Sequence, residues 1–177
     1  MSEDRLLIIT IDNQLRWDSH INNVYKTVSR RVFLLSKLRY IVDIDTRKLF
    51  FNAHIKPHID CASVVWDGCS DVLKEILNSL HRRAAKLILP HTTLTTDQKL
   101  KEMRIMSLQK QSEYNKGLFM YRLLSSEAPE YISNLYTHTP SRYSNHLSLP
   151  RPSIDVFKTS ISFSGAHLWN NLGYCSL

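Results

Sequence analysis

Residues 18–42 read DSHINNVYKTVSRRVFLLSKLRYIV, and their pattern decides the fold. Apolar side chains recur in this stretch at steps of three and four residues, which is the spacing of one face of an α-helix. The stripe consists of Val24, Val28, Val32, Leu35, Leu38 and Val42. The pattern therefore predicts a long helix that has Asp18 or Ser19 as its N-cap and ends at the acidic stretch after Val42.

Helical patterns continue on the C-terminal side of this stretch. Residues 45–66 are apolar on nearly every side, which predicts a buried helix, and Pro57 should kink it. Ser70 is expected to cap a third helix that Pro90 ends, and Leu108–Leu124 form the next one. Shorter helices are expected over residues 98–103, opening at Pro129, and over residues 165–172.

Strands are expected only near the two ends of the sequence. Leu6–Ile11 is a short apolar, β-branched run that enters a turn, and a second extended piece follows at Gln14–Trp17. Apolar and polar residues alternate from Phe157 to Phe163, which predicts a short strand. This strand follows an irregular linker that contains Pro140, Pro150 and Pro152.

Together these elements predict a mainly α protein, a helical bundle with a short N-terminal β-hairpin and an irregular C-terminal tail with one short strand. We expect the hairpin at 1–17, a first set of helices at 18–67, a second helical lobe at 68–136 and the tail at 137–177. The 177 residues are enough to bury a core without metal or disulfides. The four glycines are too dispersed for a Rossmann or P-loop phosphate cradle, which excludes those classes.

The net charge of +7 is concentrated in two blocks. Residues 16–48 hold eight basic and three acidic side chains, and residues 81–116 hold the same numbers. The intervening residues 49–80 hold two basic and four acidic side chains. Two basic blocks around an apolar, mildly acidic one are typical of a groove that attracts a polyanion. Two solvated helix faces are the alternative that composition leaves open.

Basic residues on the first helix give the sharpest functional signal. Lys26, Arg30 and Lys37 fall within an arc of about 40°, opposite the apolar stripe, and Phe33 lies beside them. Clustered bases with an aromatic ring suit a phosphate backbone and the face of a base or sugar. The basic end of the third helix is a weaker candidate, because the helix dipole alone favours bases there. The candidate nucleic-acid contacts are Lys26, Arg30, Phe33, Lys37, Arg82 and Lys86.

Catalytic and metal chemistry is not predicted. His54, His58 and Cys61 have the spacing of one helical face and are legitimate zinc ligands, but no Cys-x-x-Cys pair supports them. We expect all three to pack within the helical core, where a Cys–His nucleophile would not admit substrate. The sequence also has no Asp-Asp dipeptide for a two-metal centre. No catalytic residue, metal site or cofactor is therefore assigned.

An intracellular location, in the cytoplasm or the nucleus, is expected. The longest nearly apolar run, Leu6–Ile11, is far too short to span a membrane. Cys61, Cys69 and Cys175 are an odd number at irregular spacing, which is typical of reduced thiols. No membrane partner is therefore expected.

The order of several motifs resembles the region after the polymerase palm in reverse transcriptases of non-LTR retrotransposons, jockey-like elements in particular. Ile11–Trp17 resembles the hairpin that opens the thumb of that family, and Pro57–Trp66 resembles its most recognisable thumb segment. Further similar pieces are His20-Ile21, Ser29–Arg31, Leu34–Ser36, Leu80–Lys86, Ala128–Ile132, Leu149–Pro152 and Gly165–Asn170. Ile8 stands where the family has Gly, and the palm motif Tyr-x-Asp-Asp and the endonuclease domain are absent from this sequence.

The resemblance implies a thumb and post-thumb helical region that grips the template–primer duplex, an RNA–DNA hybrid or another duplex nucleic acid. RNA-directed DNA synthesis would belong to the parent polymerase, with Mg²⁺ in the palm, so this chain is expected to be a separated C-terminal piece that is not catalytic alone. The palm domain itself is a further expected partner. Two alternatives stay open: a helical protein-interaction module that docks through its apolar stripes, and a small zinc-dependent hydrolase.

Overall fold

The computed structural model describes residues 3–6, 8–90, 93–125, 129–137, 146–149, 151–152 and 155–172. The strands in this part of the chain are β1 (Glu3–Leu6) and β2 (Ile9–Asp12). The helices are α1 (Asp18–Leu38), α2 (Ile44–Phe50), a π-helical segment (Phe51–Ile55), α3 (Lys56–Asp60), α4 (Ser63–Trp66), α5 (Asp71–Ile88), α6 (Thr96–Glu102), α7 (Leu108–Leu124), α8 (Glu130–Ser133), α9 (Asp155–Thr159) and α10 (Ile161–Leu172). The prediction of a mainly α fold with an N-terminal hairpin is confirmed.

These elements form two compact units. The first unit contains residues 1–63 and 69–111, and the second contains residues 64–68 and 112–177. The units separate near residue 111, whereas the sequence places a boundary after residue 67. The reason is that α5 packs along α1, which brings most of the predicted second lobe into the first unit.

The first unit is built on the apolar stripes of α1 and α5. Val28, Val32 and Leu35 of α1 are completely buried, as the spacing predicts. Ser70 caps α5 through its side chain, which accepts a hydrogen bond from the amide of Leu73, again as predicted. Removing each large stripe side chain from water contributes about 1.5–3 kcal/mol, so the two stripes hold the helices together. The buried residues of α5 are Leu73, Leu77, Leu80, His81, Ala84, Ala85, Leu87 and Ile88.

The connection between the hairpin and α1 differs from the prediction. β1 and β2 pair as antiparallel strands with Leu6 opposite Ile9, so the prediction of one strand over Leu6–Ile11 is wrong. β2 ends at Asp12, so the prediction of a second extended piece at Gln14–Trp17 is wrong as well. The carboxylate of Asp12 accepts hydrogen bonds from three backbone amides of that segment and folds it into a turn. Trp17, with a φ of 68°, takes the N-cap position of α1 in place of Asp18 or Ser19.

The segment predicted as one kinked helix consists of several short pieces. Pro57 lies in the first turn of α3, directly after the π-helical segment, where its missing N–H is tolerated. The prediction that this region is buried on nearly every side is wrong, because Leu49 and Val65 are 68% and 48% exposed. Phe51 and Ile55, in the π-helical segment, are almost completely buried. The direction in which side chains point changes from one short piece to the next, because the regular α-helical spacing is interrupted between them. Each piece therefore buries only one of its faces.

The second unit has its own core. The side chain of Asn170 holds both main-chain groups of Leu147, with Nδ2 donating at 2.9 Å and Oδ1 accepting at 2.8 Å. Pro140 and Pro150 of the predicted linker lie outside the described residues. The core residues are Met120, Leu123, Tyr136, Leu147 and Ala166.

The strand predicted over Phe157–Phe163 is wrong, because these residues form α9 and the start of α10. Phe157, Ile161 and Gly165 are four residues apart, so they also lie on one face of a helix. Ser160 separates the two helices, and its hydroxyl donates a 2.6 Å hydrogen bond to the carbonyl of Phe157. A seven-residue alternation is too short to distinguish the two periods, and packing of Gly165 close to Met120 favours the helix.

Candidate nucleic-acid interface

The buried stripe of α1 fixes where its basic residues point. Successive residues of a helix are about 100° apart, so side chains opposite the stripe must lie at the surface. Lys26, Arg30 and Lys37 are all exposed, as the sequence predicts, and so is Phe33. We refer to these four residues as the basic face of α1.

The charge of the basic face is not balanced along its own helix. α1 contains four basic side chains and one acidic side chain, that of Asp18 in its first turn. Among the residues that the structure describes, Lys26, Arg30 and Lys37 form no ion pair. The face therefore keeps a positive potential, which attracts anions.

An aromatic ring is built into this positive surface. Phe33 is 59% exposed, and the Nζ atom of Lys37 lies 5.3 Å from the centroid of its ring. Such a cation–π contact contributes about 0.5–1 kcal/mol at an exposed site. It keeps the ammonium group of Lys37 close to the helix surface and beside the ring.

An open depression lies within the basic face. Its volume is about 380 Å³, and it is lined by Tyr25, Lys26, Ser29, Arg30 and Phe33. Sequence reasoning missed Tyr25 and Ser29. The signal for them was present, because Tyr25, Ser29 and Phe33 follow one another at four-residue steps and so form one row along α1.

The two candidate bases on α5 are in different situations. Arg82 forms an ion pair and a hydrogen bond with Glu75. Hydrogen bonds from Arg82 and then from Asn78 lower the pKa of Glu75, so Arg82 already faces a carboxylate counterion. Lys86 is exposed and forms no ion pair within the described chain. Of the two, Lys86 is thus the cation more available to an external phosphate.

The three residues considered for metal binding lie in different local elements. His54 is exposed and stacks on Phe50 with ring centroids 4.8 Å apart, so the expectation that it packs in the core is wrong. The π-helical segment changes the spacing between His54 and His58, and Cys61 follows the end of α3. Burial, and then the charges of Arg31 and His54, lower the pKa of His58. Among the described residues, no group of three or more His, Cys, Asp or Glu is placed to hold a metal ion.

One histidine of α5 is a core residue. His81 is 3% exposed and lies edge-on to Phe51, with ring centroids 5.5 Å apart. Burial, and to a lesser degree the charge of Lys56, lowers the pKa of His81 to about 4. The cavity beside it measures about 10 Å³, which is room for about one water molecule. His81 is therefore neutral at physiological pH and has no space for a substrate beside it.

Comparisons with protein-family models, with curated proteins and with solved structures return no match to this chain. Within the described ranges, no helix combines the length and the hydropathy needed to cross a membrane. Function is therefore inferred from the chemistry of the basic face itself.

Proposed function

We propose that this chain is a nucleic-acid-binding helical module, similar to the thumb region of a non-LTR reverse transcriptase, and that it grips a template–primer duplex such as an RNA–DNA hybrid. The observation that carries the proposal is the basic face of α1, where three exposed cations and an exposed aromatic ring share one side of a helix. The opposite side of that helix is anchored in the core by the apolar stripe.

The dimensions of the basic face suit a phosphate backbone. Lys26 and Lys37 are separated by about 16 Å along the helix axis. One strand of a duplex carries a phosphate about every 3.4 Å, so the face has the length of about five phosphates. Because α1 is held by its buried stripe, the backbone positions of its cations are fixed before binding, and the ordering cost is limited to their side chains.

The proposed role is binding without catalysis, inside the cell, in the cytoplasm or the nucleus. Two-metal phosphoryl transfer requires paired carboxylates, which the Tyr-x-Asp-Asp motif of a palm supplies and this sequence lacks. No metal or cofactor therefore enters the proposal. The palm of a polymerase is proposed as a further partner.

The test is a titration of the full chain with a blunt RNA–DNA hybrid at about 50 mM and about 200 mM salt. The variant Lys26→Glu/Arg30→Glu/Lys37→Glu should bind more weakly, and each lost phosphate contact should flatten the salt slope by about 0.9. The matched control Arg83→Glu/Lys101→Glu/Arg104→Glu removes the same charge from other exposed positions. Equal losses in the two variants would assign binding to net charge and overturn the proposal.

A second candidate, the protein-interaction module, is favoured by apolar side chains near the end of α1. Tyr40 and Ile41 are each 79% exposed, and Leu34 is 49% exposed. Docking through such groups depends little on salt, in contrast to phosphate binding. The variant Tyr40→Ser/Ile41→Ser should leave hybrid binding unchanged if the basic face is the site. A parent chain that shows no salt-dependent binding of the hybrid would favour this second candidate.

A further inference from the structure

Tyr25, Ser29 and Phe33 form one row along α1, and its two aromatic rings are not needed for binding phosphate. Tyr25 and Phe33 lie about 12 Å apart along the helix axis, with the small side chain of Ser29 between them. The space above Ser29 is the open depression of about 380 Å³, and Lys26 and Arg30 line it beside the rings. Consecutive stacked nucleotides advance about 3.4 Å, so the two rings are about three nucleotide steps apart.

We propose that this depression binds unpaired nucleotides of a single strand. In this arrangement one base stacks on Tyr25, a second base stacks on Phe33, and the phosphates between them contact Lys26 and Arg30. The inference rests on the proposed function, which supplies a nucleic-acid ligand, and it adds unpaired bases of a single strand to the ligands of this part of α1.

The chemistry favours a single strand over a duplex at this place. An aromatic ring can stack only on the face of a base, and inside a duplex those faces are covered by neighbouring base pairs. Cations are sufficient to bind the phosphates of a duplex. Sites for single strands combine cations, which bind the phosphates, with aromatic rings, which stack on the bases.

Phe33 has a surface available for such stacking. Lys37 lies over its ring, yet Lys37 is not among the residues that line the depression. Phe33 itself lines the depression and is 59% exposed. Tyr25 is 38% exposed at the other end of the same depression.

The test uses two probes with the full chain, a DNA single strand that carries 2-aminopurine and a blunt RNA–DNA hybrid. Stacking of 2-aminopurine on a ring lowers its fluorescence, so binding of the single strand should quench it. The variant Tyr25→Leu/Phe33→Leu should lose the quenching and bind the single strand at least about tenfold more weakly. Its affinity for the blunt hybrid should fall by a smaller factor than its affinity for the single strand, because the three cations of the basic face remain. The matched control Tyr114→Leu/Tyr121→Leu alters two other exposed rings and should change neither probe.

A second variant protects the test against a folding defect. Tyr25→Trp/Phe33→Trp keeps two stacking surfaces and should retain both the quenching and the single-strand affinity, with circular dichroism as the check on folding. If the parent chain binds the blunt hybrid but the leucine variant keeps single-strand affinity and quenching, the inference is overturned while duplex binding stands. If the parent chain binds neither probe, the proposed function itself is overturned.

Discussion

The carboxylate of Asp12 accepts a 2.9 Å hydrogen bond from the backbone amide of Trp17 and so ties the hairpin to the start of α1. The amides of Gln14 and Arg16 donate to the same carboxylate. Burial alone raises the pKa of Asp12, but the amide hydrogen bonds and the charge of Arg16 outweigh it, and the net pKa is lowered. Asp12 thus pairs the backbone amide of Trp17, the N-cap residue of α1, whose own side chain makes no capping hydrogen bond.

Replacing Asp12 should destabilise the protein. In Asp12→Ala the buried amide of Trp17 and the half-buried amides of Gln14 and Arg16 lose their acceptor, and we expect the free energy of unfolding to fall by about 2 kcal/mol, measured by urea denaturation. Because the folded-state pKa lies below the ordinary value of 3.8, this stabilisation is present above that pH and is lost as the pH falls through the folded-state pKa. The control Glu102→Ala changes an exposed carboxylate and should stay within about 0.5 kcal/mol. An equally small effect at Asp12 would contradict the prediction.

The sequence was sufficient to predict an element wherever one pattern, such as the spacing of apolar side chains, repeated over many residues. The buried stripes of α1 and α5 each repeat over about four turns, and Ser70 begins α5 as its residue type indicates. The sequence was misleading where a single contact decided the outcome. The carboxylate of Asp12 folds the segment predicted to be extended, and the close packing of Gly165 selects a helix for the alternating residues before it.

Some features of the candidate site could likewise be predicted from the sequence, and others required the structure. The exposure of Lys26 and Lys37 follows from helix geometry alone, because both lie opposite a buried stripe. The pairing of Arg82 with Glu75 depends on the side-chain conformations of two long residues, which no spacing rule determines. The depression above Ser29 depends on how far the flanking rings are exposed, and that also requires the structure.

His81 should make the protein less stable in mild acid. Burial, with a smaller contribution from Lys56, lowers its pKa to about 4, whereas an unfolded histidine titrates near 6.5. Between these values the unfolded chain binds a proton that the folded chain does not, so the free energy of unfolding decreases as the pH falls. The expected loss by pH 4 is on the order of 3 kcal/mol.

Variants without the titrating ring provide the measurement. His81→Leu and His81→Gln should each gain about 2 kcal/mol of stability relative to the parent chain between pH 7 and pH 4.5, measured by urea denaturation. The two replacements differ in polarity, so agreement between them would assign the effect to titration and not to packing. Parallel pH profiles of the parent chain and both variants would show that His81 is not responsible.

Two glycines of the second unit should respond oppositely to alanine. A Cβ at Gly165 would lie 2.8 Å from Sδ of the buried Met120, so Gly165→Ala should lower the melting temperature, with a cost of about 1–3 kcal/mol. A Cβ at Gly117, inside α7, would meet its nearest atom at the ordinary distance of 3.7 Å from Leu172. Gly117→Ala should therefore stabilise the protein by about 0.5–1 kcal/mol. The same sign in both variants would contradict this reading of the α10 packing.

The chain alone should incorporate no nucleotides on a primed RNA template. The sequence has neither the Tyr-x-Asp-Asp motif nor an Asp-Asp dipeptide to hold two metal ions at a primer end. The measurement is primer extension with purified protein and Mg²⁺, with a known reverse transcriptase as the positive control. Template-dependent extension that copurifies with the chain and is changed by a substitution in it would overturn the expectation.

The counterion of Arg82 should make this residue contribute less to nucleic-acid binding than Lys86. Arg82 must leave Glu75 before it can neutralise a phosphate, whereas Lys86 is exposed and forms no ion pair in the described chain. Lys86→Gln should therefore reduce the salt slope of hybrid binding by up to about 0.9, and Arg82→Gln should reduce it by less. Glu75→Gln frees the guanidinium group of Arg82 and should tighten binding and steepen the slope. If Glu75→Gln leaves both quantities unchanged, Arg82 does not contact the nucleic acid even when its counterion is removed.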